Sequence, residues 1–189
     1  IPFGRIIAGK VAAIDITQHG SGNIGATNVA RVVHIKWGLL TLALDMLKGY
    51  LPVLLYSLSA FCPQWSFDYG LSFVGLAALL GHQFSIFGKF RGGKGVATAL
   101  GIYLVISPSS CLCAFVTFLL VTYKWRFISL GSMISVFTMP ILLALFGETA
   151  PIIGGSCVTA FLILMKHRQN IERLFKGQEN RWGKSPIRR

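Results

Sequence analysis

The sequence predicts an all-α fold: a polytopic membrane helix bundle of seven transmembrane helices, the first one truncated, with the amino end outside and the carboxyl end cytoplasmic. Three observations lead there. Hydrophobic residues make up 53% of the 189 and charged residues only 13%, a balance that excludes both disorder and an ordinary soluble domain. The apolar residues gather at 37–62, 70–87, 127–146 and 152–165, with a fifth region at 95–123 broken by Ser107-Pro108-Ser109-Ser110. About 20 apolar residues cross the hydrocarbon of a bilayer, so three of these are comfortable spans and 152–165 is short. Finally, 18 Lys and Arg stand against 6 Asp and Glu, and they are placed with a strong bias along the chain.

Residues 1–14 are apolar but carry Arg5 and Lys10. The run is too short and too early charged for a complete signal peptide and reads as the cytoplasmic end of a first span. Residues 37–62 and 70–87 supply the second and third spans. The broken region 95–123 reads either as one kinked helix or as two short helices in a hairpin with Pro108 at the turn. Charge decides between them. With a hairpin, the segment 15–36, the loops 88–94 and 124–126 and the tail from 166 fall on one side, and they hold every cation except Arg5, Lys10 and Lys48. The opposite loops, 63–69, 108–110 and 147–151, hold no cation but do hold Asp68 and Glu148. A single span would set Lys94 and Lys124 on opposite faces. The positive-inside rule therefore selects the hairpin and places the polar loops in the cytoplasm. Because the cations follow the membrane, the net charge of +12 does not argue for a nucleic-acid partner. No second domain is visible, and 1–189 reads as one. Cys62, Cys111, Cys113 and Cys157 lie in or beside spans without metal-ligand or disulfide spacing, as buried inert thiols would. There is no carboxylate or histidine cluster suited to a metal, and no cofactor is expected.

Two loops rich in small residues interrupt this apolar chain. Residues 20–31 read Gly-Ser-Gly-Asn-Ile-Gly-Ala-Thr-Asn-Val-Ala-Arg, and 91–98 read Arg-Gly-Gly-Lys-Gly-Val-Ala-Thr. Glycine amides can turn toward an anion, Ser, Thr and Asn add neutral hydrogen bonds, and Arg31, Arg91 and Lys94 add charge. Two such loops imply two phosphate-bearing ligands. A plain connector does not need Ser21, Asn23, Thr27, Asn28 and Arg31 together at the border of a bilayer, where polar groups without partners are costly. Two nucleotide motifs are matched only in form. Gly20, Gly22 and Gly25 fit a dinucleotide fingerprint with Asp45 in the ribose position, but no strand-like run precedes them and Asp45 sits inside a span. Gly88 to Lys94 fits the start of a P-loop, but Gly95 stands where Ser or Thr must bind magnesium.

Three further groups stand out. Asp45 and Lys48, at i and i+3 within the second span, are either a neutralised pair that orients its neighbours or part of a site. His82, after Gly81 at the end of the third span, is either a hydrogen-bonded core residue or functional, and it leads into Phe84, Phe87 and Phe90, whose spacing suggests one helix side. The tail from His167 continues the last span as an amphipathic helix with His167, Asn170, Ile171 and Leu174 on one face and a Glu172–Lys176 pair at i, i+4. A basic surface helix explains its cations, but not His167 and Asn170 turning toward the bundle.

Together these residues resemble the PlsY family, the bacterial acyl-phosphate:glycerol-3-phosphate acyltransferases. The resemblance covers nearly the whole chain: Ser21-Gly-Asn23-x-Gly25-x-Thr27-Asn28-x-x-Arg31, then Asp45-x-x-Lys48-Gly49, then Gly81-His82-x-Phe84 running into Gly92-Gly93-Lys94-Gly95-Val96-Ala97-Thr98, then His167-Arg168-x-Asn170-Ile171-x-Arg173-Leu174 with Gly177 and Glu179. It implies transfer of a fatty acyl group from acyl phosphate to the sn-1 hydroxyl of glycerol 3-phosphate, at the cytoplasmic face of a bacterial inner membrane. The products are lysophosphatidic acid and phosphate. Neither acyl-CoA nor acyl carrier protein is the donor, and a soluble acyl-phosphate-producing enzyme is the implied partner. Followed position by position, the resemblance gives Ser21, Arg31, Lys94, His167 and Asn170 to glycerol 3-phosphate. It gives Asn23, Thr27, Asn28, Gly92, Gly93 and Gly95 to the acyl-phosphate head. His167, Lys94 and Ser21 are then the catalytic set, with Asp45, Lys48 and His82 in support. His167 is either the general base or a donor that positions substrate, and a departing phosphate able to take the proton favours the second. The competing class is a membrane transporter of an anionic metabolite, since glycine-broken cationic segments also bind transported anions. It fits less well, because the polar residues lie on one face and no pair of broken helices meets at the midplane.

Overall fold

The computed structural model describes residues 1–59, 64–88 and 90–183, without the side chains of 64 and 65. Cys62, Lys89 and the tail cations Lys184, Arg188 and Arg189 lie outside the described residues. Every regular element among the described residues is helical. The chain divides into two compact units, Ile1–Ile106 and Ser107–Arg189. The first holds α1 (Phe3–Ala12), α2 (Ala26–Val32), α3 (Ile35–Ser57), α4 (Gln64–Gln83) and α5 (Val96–Ile106). The second holds α6 (Pro108–Trp125), α7 (Ile128–Leu145), α8 (Ala150–Lys166) and α9 (Arg168–Phe175).

Three stretches are long and apolar enough to cross a membrane: α3, the run Ser66–Gly88 and α7; α8 with α9 makes a fourth if that bent pair is one span. The break expected within 95–123 falls at Ser107, whose backbone (φ −148°, ψ 84°) leaves the helix before α6 starts on Pro108. Proline suits that first position, because it has no N–H to leave unpaired there. One boundary differs from expectation. α4 begins at Gln64, inside the segment read as a 63–69 loop. Gln64, Ser66 and Asp68 lower the hydropathy, yet a helix satisfies its own backbone and extends into a polar border without cost.

In the first unit α3 and α5 cross closely. A Cβ on Gly49 would strike the backbone of Thr98, and one on Gly101 the backbone of Met46; small residues are what allow helix backbones to approach in lipid, where burial of apolar surface gives no driving force. Thr98 Oγ1 donates to the Asp45 carbonyl across this contact at 3.0 Å. Beneath the loop that precedes α2, Ile7 and Ala8 of α1 meet Ile16, Ile24 and Val29 in a buried cluster edged by Phe3 and Trp37. That cluster fixes the first polar loop to α1.

In the second unit α6 packs on α7 and α7 on α8. Gly131 of α7 lies against Thr122 and Phe118 of α6. Two small hydroxyl residues of this unit satisfy themselves on their own helices: Ser132 donates to Ile128 O at 2.9 Å and Ser156 to Ile153 O at 2.6 Å. These polar side chains are thereby buried with their hydrogen bonds met.

Candidate active site

The first polar loop is built around Asn28, which sits in the first turn of α2 and is 2% exposed. Its Oδ1 accepts the Ser21 N–H at 2.9 Å. Its Nδ2 donates to the carbonyls of His19 and Asn23 at 2.9 Å each, with Ile16 O at 3.4 Å. Asn23 Oδ1 in turn accepts the Gly25 N–H at 2.8 Å, the Asx turn that asparagine forms readily. The hydrogen-bonding groups of Asn28 are therefore engaged inside the loop, giving it a scaffolding place. Ser21 is half-buried and Thr27 exposed; among the described residues their hydroxyls make no hydrogen bond. Arg31 stands half-buried one turn after Thr27, on the same side of α2.

The second loop returns on the end of α4. Gly92 N–H donates to Gln83 O at 3.2 Å, and the fully buried Gln83 sends Nε2 to Lys94 O at 2.8 Å. The loop backbone around Lys94 is thus pinned from one residue. Gly95 has φ +92°, a conformation that costs a residue with a Cβ, and it leads directly into α5. Here the aromatic spacing is corrected: Phe84, Phe87 and Phe90 do not lie on one α-helical side. α4 stops at Gln83, and Ser85 O takes the N–H groups of Gly88 at 3.0 Å and Phe90 at 2.9 Å. The returning chain occupies the carbonyls that would have continued the helix, and all three rings are exposed.

Asp45, Lys48 and His82 come together beside this loop. Lys48 Nζ lies 2.6 Å from Asp45 Oδ1, and His82 Nδ1 lies 3.7 Å from the same oxygen. Lys48 also sits 4.6 Å over the Phe3 ring. The buried carboxylate is therefore faced by two basic groups from two helices.

In the second unit, α9 leaves the line of α8 by 58°, with His167 at the joint. His167 is 2% exposed, and its Nδ1–H donates to Ile163 O at 2.8 Å. A carbonyl only accepts, so the neutral ring carries its lone pair on Nε2. Asn170, also buried, donates Nδ2 to Glu179 Oε1 at 2.8 Å. Arg173 Nε donates to Glu179 Oε2 and Ser129 Oγ to Glu179 Oε1, each at 2.8 Å. Burial works to raise the Glu179 pKa, but the hydrogen bonds from Arg173, Asn170 and Ser129 outweigh it, and the carboxyl stays below its ordinary range. The ion pair of this segment is thus Arg173–Glu179. The expected Glu172–Lys176 ion pair is not formed: Lys176 caps α9 with its N–H on Glu172 O at 3.1 Å, but both side chains are exposed, where such a pair gains little. Sequence reasoning gave Ser129 no role and Glu179 none beyond its place in the family pattern. Only that pattern signalled Glu179, since its partners are 50, 9 and 6 residues away.

The chain is similar to known proteins over most of its length. The sequence model of the glycerol-3-phosphate acyltransferase family matches residues 1–177. The glycerol-3-phosphate acyltransferases of Syntrophotalea carbinolica and Geobacter sulfurreducens are each 44% identical over 182 residues, covering 96% of this chain and 91% of theirs. That of Aquifex aeolicus is 40% identical, over 96% of this chain and 92% of its own. Among solved structures, the glycerol 3-phosphate form of PlsY (YgiH), an integral membrane glycerol 3-phosphate acyltransferase, superposes with a TM-score of 0.89 at 40% identity, over 97% of this chain and 89% of that one. The lysophosphatidic acid form gives 0.86 at the same identity and coverage. Whole-length sequence match and whole-length helical likeness coincide, and the chain belongs to the glycerol-3-phosphate acyltransferase family, multi-pass membrane enzymes of phospholipid synthesis.

Proposed function

We propose that this protein transfers a fatty acyl group from acyl phosphate to the sn-1 hydroxyl of glycerol 3-phosphate, working at the cytoplasmic face of a bacterial inner membrane. The observation that carries the reading is the second loop, a phosphate-type turn pinned by Gln83 around Lys94 in an otherwise apolar chain. Following the family resemblance, glycerol 3-phosphate is given Ser21, Arg31, Lys94, His167 and Asn170. The acyl-phosphate head is given Asn23, Thr27 and the amides of Gly92, Gly93 and Gly95, with Asn28 acting through the loop it shapes. The acyl tail stays against apolar helix surfaces open to lipid, and a soluble acyl-phosphate-producing enzyme supplies the donor.

The chemistry asks little of the protein beyond alignment and charge. The sn-1 oxygen attacks the carbonyl carbon of the mixed anhydride, a new ester C–O bond forms, and the C–O bond to phosphate breaks. The departing phosphate takes the hydroxyl proton and leaves as inorganic phosphate. Aligning two anions and stabilising charge on the attacked carbonyl are the terms that cationic and amide donors supply. No acyl-enzyme is needed. In this scheme His167 positions substrate as a donor through Nε2, which takes the doubly protonated imidazolium because the Nδ1–H is already given to Ile163 O.

Protein purified in detergent tests the reading. Phosphate release and lysophosphatidic acid formation should require both palmitoyl phosphate and glycerol 3-phosphate, and palmitoyl-CoA should give no product. Turnover with palmitoyl-CoA would overturn the donor assignment, and uptake of glycerol 3-phosphate into vesicles without acyl transfer would replace the enzyme with the transporter.

A further inference from the structure

The imidazole of His82 occupies the space that a Cβ on Gly93 would need: built there, that atom would fall on the His82 ring, with Cε1 at 2.9 Å and Nε2 nearer still. Gly93 has no positive φ, so its backbone would accept any residue. The neighbour, and not the turn, requires glycine. On its other edge the same ring presents Nδ1 to Asp45 Oδ1 at 3.7 Å, and Asp45 is held in turn by Lys48 at 2.6 Å and through its carbonyl by Thr98. His82 O and Gln83 O both lie close beneath Gly92. One side chain thus bridges a buried carboxylate of α3 and the floor of the second loop.

We propose that His82 is a positioning residue: wedged between Asp45 and Gly93, its ring sets where the Gly92 and Gly93 amides and Lys94 stand, and so sets the affinity for acyl phosphate. The inference rests on the assignment of that loop to the acyl-phosphate head. It deepens that assignment by separating the groups that touch phosphate from the one that places them. Donors fixed to within a fraction of an ångström are worth far more than the same donors left loose, and a buried ring packed between Asp45 and Gly93 limits how far they can shift.

A double-mutant cycle between His82 and Gly93 tests it, read by melting temperature in detergent and by steady-state kinetics with palmitoyl phosphate and glycerol 3-phosphate. Gly93→Ala alone forces its new methyl into the ring; it should lower the melting temperature and raise KM for palmitoyl phosphate about tenfold or more. His82→Ala alone should raise that KM about three- to tenfold while kcat stays within about twofold, the signature of lost binding rather than lost chemistry. In the double variant the methyl fills the space vacated by the ring, so melting temperature and KM should be no worse than for His82→Ala. His82→Gln, which keeps a polar side chain of similar reach, should fall between wild type and alanine, and it carries the kinetic test if the alanine variant does not fold. Additive losses in the double variant, or an unchanged KM in His82→Ala or His82→Gln, would overturn the proposal. If wild-type protein fails to turn over palmitoyl phosphate, the donor assignment falls while the melting-temperature cycle still reads the His82–Gly93 contact.

Discussion

Asn170 donates its side-chain amide to Glu179 at 2.8 Å, and the same carboxylate takes Arg173 and Ser129 at equal distance. A residue assigned to substrate is therefore aimed by one that is not. Glu179→Gln should be markedly destabilising. The new amide NH2 would face either the Arg173 or the Asn170 donor, and a buried donor without an acceptor costs roughly 1–3 kcal/mol. Because the folded carboxyl is held below its ordinary range, its contribution is complete above the unfolded pKa and is lost as pH falls through the lowered folded value. Melting temperature against pH should drop on the acid side in wild type and show a weaker acid dependence in Glu179→Gln. Equal curves would remove Glu179 as the clamp.

Asn28 gives a second test of scaffolding against contact. Asn28→Ala removes the acceptor for Ser21 N–H and the donor to His19 and Asn23 carbonyls, and should cost roughly 2 kcal/mol or more of stability together with most activity. Asn28→Asp is the sharper variant. It keeps the acceptor but turns an oxygen toward two carbonyl oxygens, so it should be no better than alanine. Stability and activity retained in Asn28→Asp would show that Asn28 does not organise the loop.

Ser21 and Lys94 should behave oppositely to Asn28. The Ser21 hydroxyl makes no hydrogen bond among the described residues, so Ser21→Ala should leave the melting temperature nearly unchanged while kcat/KM for glycerol 3-phosphate falls about tenfold or more, the loss of one charge-assisted bond or slightly more. Lys94→Ala should lower kcat/KM about a hundredfold, as loss of a charge at a phosphate site does. Normal kinetics for Lys94→Ala would contradict the phosphate assignment of the second loop.

The parts of the molecule legible in the sequence are those governed by local composition. Ser21 to Arg31 and Arg91 to Thr98 stand out because glycine and small polar residues are unusual amid apolar spans, and the break at Ser107 shows in the whole Ser-Pro-Ser-Ser run, since Pro52 and Pro140 alone leave their helices unbroken. What depends on long-range pairing is not legible there. An asparagine that binds a ligand and one that props a loop are the same letter, and only the bonds that engage both ends of the Asn28 amide within its own loop mark it as a prop. The end of α4 is hidden because Phe84, Phe87 and Phe90 keep a helical spacing while the bonds that stop the helix come from Gly88, Phe90 and Gly92 folding back. Glu179 is legible as a member of a family pattern, but its role depends on Ser129, far away in the chain.

His167 carries the sharpest remaining prediction, because its Nδ1–H is given to Ile163 O and a proton exchanged with substrate would have to pass through Nε2. A general base needs that nitrogen unprotonated, whereas a donor to substrate needs it protonated. The two roles have opposite pH dependence over the range in which histidines titrate, about pH 5 to 8. As a positioning donor, His167 should give a kcat/KM for glycerol 3-phosphate that declines as pH rises through this range. His167→Gln offers an N–H donor that does not titrate, so it should retain measurable activity and lose the part of the decline that wild type owes to the imidazole; the ionisation of glycerol 3-phosphate itself remains in both and cancels in their ratio. His167→Ala should be severely impaired at every pH. A wild-type to His167→Gln ratio that rises with pH would instead make His167 the base, with the proton passing to Nε2 before the phosphate departs.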